Sequence, residues 1–513
     1  LKVSPISSIA MSTQRAESVH CGLQRDRDEG EGLDRSRRCF LAGVLGQCAL
    51  GLGLAACSAG STSDAPSAAT PPPSTGEPPP PLPPPVISTP VTFPLRVEAG
   101  KRYLVDADGK PFLIHGDTAW SIVGQLNDAE IDLYLQDRAS KGVTAILFSA
   151  PEAYYTNASP SYQNADGVAP FAPMTNFASP AEAYWRRVDR VVDGARSRGM
   201  ACVINPAYLG AIGDGWLEAV NAASEIDLRT YGAWLANRYT QGNIIWCVGG
   251  DHDSPNAIAR QWSIVQGMRT VRASDIVTGH PLADKSNADD AYAYWGDREG
   301  FTLNSVYGWE QNGFHVDALC AQARARPMPF LFFEGQYENE GAPVIDAAQL
   351  RRQSYGALLS GACGQFFGNN PIWHFESRRR PFAYPGTWRS NLNSRGSIDQ
   401  IHVRALFVSC DWWKLEPSTD SSLVTSGLGR NGGHLYAARA NDRSFAMVYV
   451  PAAQLVSIDM TALSPQRVRA RFYDPTRGDY TAVPGSPFPN TGVASLRTSG
   501  ERVIVLDGDE PAA

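Results

Sequence analysis

From about residue 112 the chain repeats one pattern. A short, uninterrupted apolar run ends in glycine or polar residues, and a longer segment of helical periodicity follows. Apolar runs without alternation suit parallel strands buried on both faces. On this basis strands are expected at 112–114, 143–148, 200–205, 243–249, 275–279, 301–306, 329–333 and 364–367. Helices are expected at 127–141 (with Asn127 as N-cap), 180–199, 225–241, 255–272, 316–326, 346–360 and 397–409. Strands alternating with helices over ~300 residues predict an α/β fold, a (β/α)8 TIM barrel. A doubly wound open sheet is the competitor, but no GxGxxG or P-loop stands where one would need it. Short strands at 95–97 and 102–105, with a turn at Asp108-Gly109, precede the barrel.

The period changes near residue 411. Short runs at 435–439, 444–449, 455–459, 468–473 and 503–506 are separated by turns such as Asn431-Gly432-Gly433, Asn441-Asp442 and Thr476-Arg477-Gly478-Asp479. These predict a C-terminal all-β sandwich. The expected division is a barrel over 92–410 and a sandwich over 411–508.

Residues 1–35 are polar and charged and carry no predicted fold. Ser36-Arg37-Arg38-Cys39-Phe40-Leu41 reads as a twin-arginine export pattern, followed by a Gly/Ala-rich apolar stretch and Leu54-Ala55-Ala56-Cys57. The latter resembles a bacterial lipobox, which makes Cys57 the expected lipid-attachment site after a leader over 1–56. Ser58 after it resembles sorting to the outer membrane. Residues 57–91 are Ser/Ala/Thr- and then proline-rich; 78–85 are proline except for Leu82. That composition predicts an extended spacer between a membrane anchor and the folded body.

A net charge of -7 argues against a nucleic-acid partner. The nine cysteines show neither metal-ligand spacing nor a disulfide framework, although Cys202 and Cys247 on neighbouring strands could pair. Twelve Trp, 19 Tyr and 19 Phe supply a core and leave rings for stacking on sugars.

Two apolar runs carry the candidate chemistry. Phe330-Leu331-Phe332-Phe333 runs into Glu334, and Ile244-Ile245-Trp246-Cys247-Val248-Gly249-Gly250 runs into Asp251. A buried carboxylate is costly unless paired or used. Counted along the chain, Asp251 follows the fourth strand and Glu334 ends the seventh, so a barrel would bring them together at its mouth. Paired carboxylates ~5–5.5 Å apart perform retaining glycoside hydrolysis, with Glu334 as nucleophile and Asp251 as general acid/base. The same rim would carry Asp117, Trp120, Asn205, His280, Tyr307, Trp309, Tyr337, Asn370 and Trp373 as substrate-binding residues. Asp251-His252-Asp253 lacks zinc-site spacing, there is no HExxH, and no GxSxG elbow is present. No cofactor or metal is expected, and the expected partner is an oligo- or polysaccharide.

The stretch from Tyr103 to Phe112, running into His115-Gly116-Asp117-Thr118-Ala119-Trp120, resembles the opening of the apiosidase-like glycoside hydrolases (family 140 and relatives). Phe445–Pro451 and Arg471–Gly478 are similar to the β-module that accompanies them, named after a collagen-binding domain of a collagenase. The resemblance spans about residues 95–508. It implies a (β/α)8 catalytic domain, an acid pair falling on Asp251 and Glu334, and release of apiose from a pectic side chain. Two loops depart from the pattern. Asn304–Trp309 stands where relatives carry Gln-Ser-Gly-His, and Phe366–Asn370 where they carry His-Thr-Tyr-Gly. The acid pair therefore carries over better than the sugar. Two other readings remain, a carbohydrate-binding lipoprotein without turnover and a collagen-directed peptidase, the latter disfavoured by the missing protease motifs.

Overall fold

The computed structural model describes residues 90–508 apart from 160, 212, 253, 283–289, 310–314, 381 and 430–432. The twin-arginine pattern, Cys57, the proline-rich spacer and Asp253 lie outside the described residues.

Eight parallel strands form the expected barrel: β1 (Ile114–Thr118), β2 (Ala145–Ser149), β3 (Ala201–Asn205), β4 (Ile244–Gly249), β5 (Ile276–His280), β6 (Asn304–Tyr307), β7 (Phe330–Glu334) and β8 (Gly364–Phe367). Their hydrogen-bonded order is β5-β4-β3-β2-β1-β8-β7-β6, so the wall is nearly closed. At the seam, the Thr302 and Leu303 amides both donate to the Val277 carbonyl at 3.1 Å, and the Ser305 hydroxyl donates to the Gly279 carbonyl.

Each strand buries both faces, which explains the apolar runs. Ala145, Leu147, Ala201, Val203, Ile245, Cys247, Leu331 and Phe333 fill the interior. Ile146, Phe148, Cys202, Ile204, Trp246 and Val248 face outward, against the helices. Cys202 and Cys247 are therefore on opposite faces of the wall, and both are free thiols, so the pairing considered from sequence does not form.

Helix α1 (Asp128–Ser140) shows how the outer layer is specified. The Asn127 side chain accepts from the Glu130 amide while the Glu130 side chain accepts from the Asn127 amide, a reciprocal cap. Its inner stripe is Ile131, Tyr134, Leu135 and Arg138, at helical spacing.

A small antiparallel sheet (Arg96–Val97, Leu104–Val105, Pro111–Phe112) precedes the barrel. Leu95, Leu104 and Phe112 join the interior cluster and help to fill the barrel from its N-terminal side. A ligand site is left to the opposite end, where the strands deliver their C-termini.

The C-terminal sandwich pairs a seven-stranded with a three-stranded antiparallel sheet. Ala446, Val448, Val450, Ile504, Leu506, Val456 and Ile458 form its internal core. The other face of the larger sheet presents Tyr436, Met447, Tyr449, Val503 and Val505. This face packs on three barrel helices: α2 (Val316–Ala325), α3 (Ala347–Leu359) and α4 (Arg395–Val408). Ala446–Val450 is thus buried at every position. The short strands Leu415–Pro417, Val424–Ser426, Tyr480–Ala482, Phe488–Pro489 and Val493–Arg497 were not anticipated from the sequence. Most of their residues are exposed or half-buried, with little apolar signal.

Candidate active site

The seventh strand sets the site. Simple alternation would send Glu334 outward with Phe330 and Phe332, which pack against the helices. The pairing of β7 with β6 shifts register between Phe332 and Glu334, so Val306 opposes Phe332 while Tyr307 opposes Glu334. This bulge absorbs one residue and re-aims the next. Phe333 and Glu334 both reach His280: the Phe333 ring lies 5.0 Å from the imidazole, and Glu334 Oε2 is 2.7 Å from His280 Nε2.

Asp251 reaches the same imidazole by a different route. Gly249, Gly250 and Asp251 all take positive φ (93°, 126° and 49°), turning the chain sharply off β4. Such φ is rare outside glycine. A Cβ on Gly250 would sit 2.4 Å from the Tyr208 ring. The turn is held by the Gly250 amide donating to the His280 carbonyl at 3.0 Å and by the Asp251 amide donating to His280 Nδ1 at 3.0 Å. Because Nδ1 takes that proton, the ring's own proton sits on Nε2, aimed at Glu334.

The electrostatics follow from this packing. Burial and the Glu334 charge push the Asp251 carboxyl up to about 6, against the opposing effects of His280 and the Tyr208 hydroxyl, which donates to Oδ2 at 2.7 Å. Burial opposes a charge on His280, but the two carboxylates outweigh it and raise its pKa. A second ring proton would displace the Asp251 amide from Nδ1, so charging the ring competes with holding the turn. Burial and neighbouring carboxylates hold the Tyr208, Tyr307 and Tyr337 phenols well above their usual range, so they remain donors.

Aromatic rings line the rest. Trp120 Nε1 donates to the Tyr337 hydroxyl at 3.0 Å, and its ring lies 5.5 Å from both Tyr208 and His280. Tyr307 stands 5.1 Å from His280 and 6.1 Å from Trp309. Trp373 packs on Tyr337 and Tyr155. Trp120, His280, Tyr307, Trp309, Tyr337 and Trp373 thus gather around the two acids.

Three expected rim residues have other work. Asp117 lies inside β1, which runs to Thr118, and it has the outward register of His115. Its carboxylate accepts from Tyr134 at 2.6 Å and pairs with Arg138 Nε at 3.0 Å, both on α1. It is buried on the helix side, where it ties the wall to a helix. Asn370 is fully buried, its carboxamide spent on the Ala383 carbonyl (3.0 Å) and His374 (2.7 Å). Asn205 is also fully buried; it donates to the Gly249 carbonyl at 3.2 Å and accepts from the Ala207 amide at 3.0 Å, bracing the turn toward Asp251.

Sequence reasoning missed Tyr208, Tyr155, Asp214 and Glu340. Tyr155 donates to Asp214 at 2.9 Å. Trp373 Nε1 donates to Glu340 Oε1 at 2.6 Å. These residues sit in loops, where no periodicity marks them. Glu340, six residues beyond Glu334, carried the one available signal, a further acid on the same loop. Among the described residues no three His, Cys, Asp or Glu side chains gather as a metal ion would require, and no helix is long and apolar enough to cross a membrane.

The barrel presents Asp251 and Glu334 together at the C-terminal ends of its strands, the end where parallel barrels carry their active sites. The family described as "Apiosidase-like, catalytic domain" matches residues 98–414, and the "Putative collagen-binding domain of a collagenase" matches 419–506. The chain belongs to the apiosidase-like glycoside hydrolases, and its activity is glycosidic hydrolysis of a polysaccharide. Solved structures share the fold. One, described as a glycoside hydrolase, aligns with TM-score 0.70 and 20% identity over 82% of this chain and 99% of its own. A family 5 glycoside hydrolase from Bacteroides vulgatus aligns with TM-score 0.70 and 20% identity over 82% of this chain and 95% of its own. No curated protein sequence matches.

Proposed function

We propose that the enzyme cleaves its polysaccharide by a retaining mechanism in which Glu334 attacks the anomeric carbon and Asp251 serves as acid and then base. The observation that carries this reading is the His280 bridge, which ties the Asp251 amide and the Glu334 carboxylate to one imidazole. Asp251, raised to about 6, holds a proton at mildly acidic pH and can protonate the departing glycosidic oxygen. Glu334, with the Nε2 proton on one oxygen, keeps the other for attack. The glycosyl–Glu334 ester is then opened by a water that Asp251 deprotonates. Family membership supports an apiose-containing pectic side chain as the substrate. The twin-arginine pattern and Cys57 support export and a lipid anchor on the outer membrane.

The test is hydrolysis of aryl glycosides and pectic oligosaccharides by a soluble fragment from about residue 90, with Glu334→Gln alongside. Proton NMR would follow the anomer first released. Retention, lost in the variant, is expected. Release of the inverted anomer would overturn the nucleophile assignment. Sugar binding without turnover on any substrate would favour a silent binding protein.

A further inference from the structure

We infer that Glu340 is a substrate-binding residue, holding a hydroxyl of the sugar unit seated against Trp373 and so setting which sugar the enzyme accepts. This rests on Asp251 and Glu334 being the hydrolytic pair.

The position is built. Asn339, just before Glu340, adopts a left-handed φ of 69°. Its carboxamide donates to the Asn370 carbonyl at 2.9 Å and to Asn391 Oδ1 at 3.1 Å, clamping this loop to the one after β8. The Ile345 amide closes the loop on the Glu340 carbonyl at 2.7 Å. Glu340 is thereby held half-buried at the barrel mouth, near enough to Glu334 for that charge to act on it.

Its bonding is unfinished. Oε1 takes the Trp373 indole proton at 2.6 Å. Among the described residues no protein group bonds Oε2, and no cation pairs with the carboxylate. The second oxygen of this half-buried carboxyl group, beside a catalytic acid, is open to a partner. Burial and the Glu334 charge push it up to about 8, against the Trp373 bond, so near neutrality it presents an O–H as well as lone pairs. A sugar hydroxyl, both donor and acceptor, matches that face. The rings of Trp373 and Tyr155, 4.9 Å apart, offer an apolar wall beside it. Glu338, two residues earlier, shows the contrast. Its oxygens are consumed by Asn369, Ser394 and the Gly396 amide, so it only anchors α4.

The test compares wild type with Glu340→Ala, Glu340→Gln and Trp373→Phe, which keeps a ring but removes the indole donor. The probes are 4-nitrophenyl glycosides of pentoses and hexoses, with the matching free monosaccharides as inhibitors. Glu340→Ala should raise KM for the cleaved glycoside and weaken inhibition by its monosaccharide roughly 10- to 100-fold, the loss of one hydrogen bond to a carboxyl group. The order of preference across the panel should flatten, with kcat changing far less. Glu340→Gln should recover part of the affinity, and Trp373→Phe should move in the same direction as alanine. Unchanged KM and unchanged inhibition in both Glu340→Ala and Trp373→Phe would overturn the assignment. If Glu334→Gln kept full activity, the hydrolytic pair would fall instead. Calorimetric binding of the same monosaccharides to Glu340→Ala would then decide the role of Glu340 separately.

Discussion

The Asp251 amide donates to Nδ1 of His280 at 3.0 Å, so the acid beyond β4 is positioned by the last residue of β5. Through Nε2 the same ring holds Glu334 at 2.7 Å. His280 is fully buried, so on the proposed mechanism it acts through these two acids. His280→Ala frees both carboxylates to drift, and a misplacement on the order of 1 Å costs about 100-fold in rate. The expected outcome is a fall in kcat with little change in KM, in a protein whose circular dichroism is unaltered. A rise in KM alone would show the ring to be a substrate contact instead.

The two acids should separate by leaving group. Asp251→Asn removes proton donation, a contribution of about 10²–10⁴-fold. That loss should be large for sugar leaving groups and small for 2,4-dinitrophenyl glycosides, whose aglycone departs unprotonated. Glu334→Gln removes the attacking oxygen and should abolish turnover of both. Equal losses for Asp251→Asn across leaving groups would remove it from the acid role.

Asp251 also fixes the pH dependence. With its carboxyl pushed up to about 6, the protonated acid is lost as pH rises through that value. The alkaline limb of kcat/KM should therefore fall near pH 6 and vanish in Asp251→Asn. The same shift appears in stability. A folded-state value above the ordinary 3.8 means that the contribution is complete below that value and lost as pH rises through about 6. The Tm of Asp251→Asn relative to wild type should thus improve between about pH 4 and pH 7.5. A pH-independent difference in scanning calorimetry would mean that Asp251 titrates ordinarily.

The strand ends were legible because a strand buried on both faces leaves an unbroken apolar run, and an acid at its end stands out. Periodicity carried Glu334 no further, since alternation points it outward and only the register shift against β6 turns it in. Asp117 misled for the related reason that β1 runs on to Thr118, fixing its side chain on the helix side. Asp251 was readable from Gly249-Gly250, whose positive φ lets the chain turn sharply. Glu340, Tyr208 and Tyr155 depend on loop paths set by side-chain clamps such as Asn339, which leave no trace in hydrophobic pattern.

The same logic makes the sandwich part of the enzyme's stability. Tyr449 stacks on Tyr355 of α3 at 4.8 Å, and its hydroxyl donates to Glu501, which also pairs with Arg351 on α3. Across the same face, the Tyr473 hydroxyl donates to the His402 carbonyl of α4 at 2.7 Å. Helix α3 leads from the Glu334 loop into β8, so loosening its outer side loosens the mouth. Tyr449→Ala leaves a cavity in this interface and should cost about 3–5 kcal/mol. The barrel and sandwich should unfold in one calorimetric transition, with Tm lowered and heat inactivation of hydrolysis shifted down equally. If hydrolysis survived heating beyond the point where the sandwich had melted, the two would be independent folding units, and the buried face between them would contribute nothing to the site.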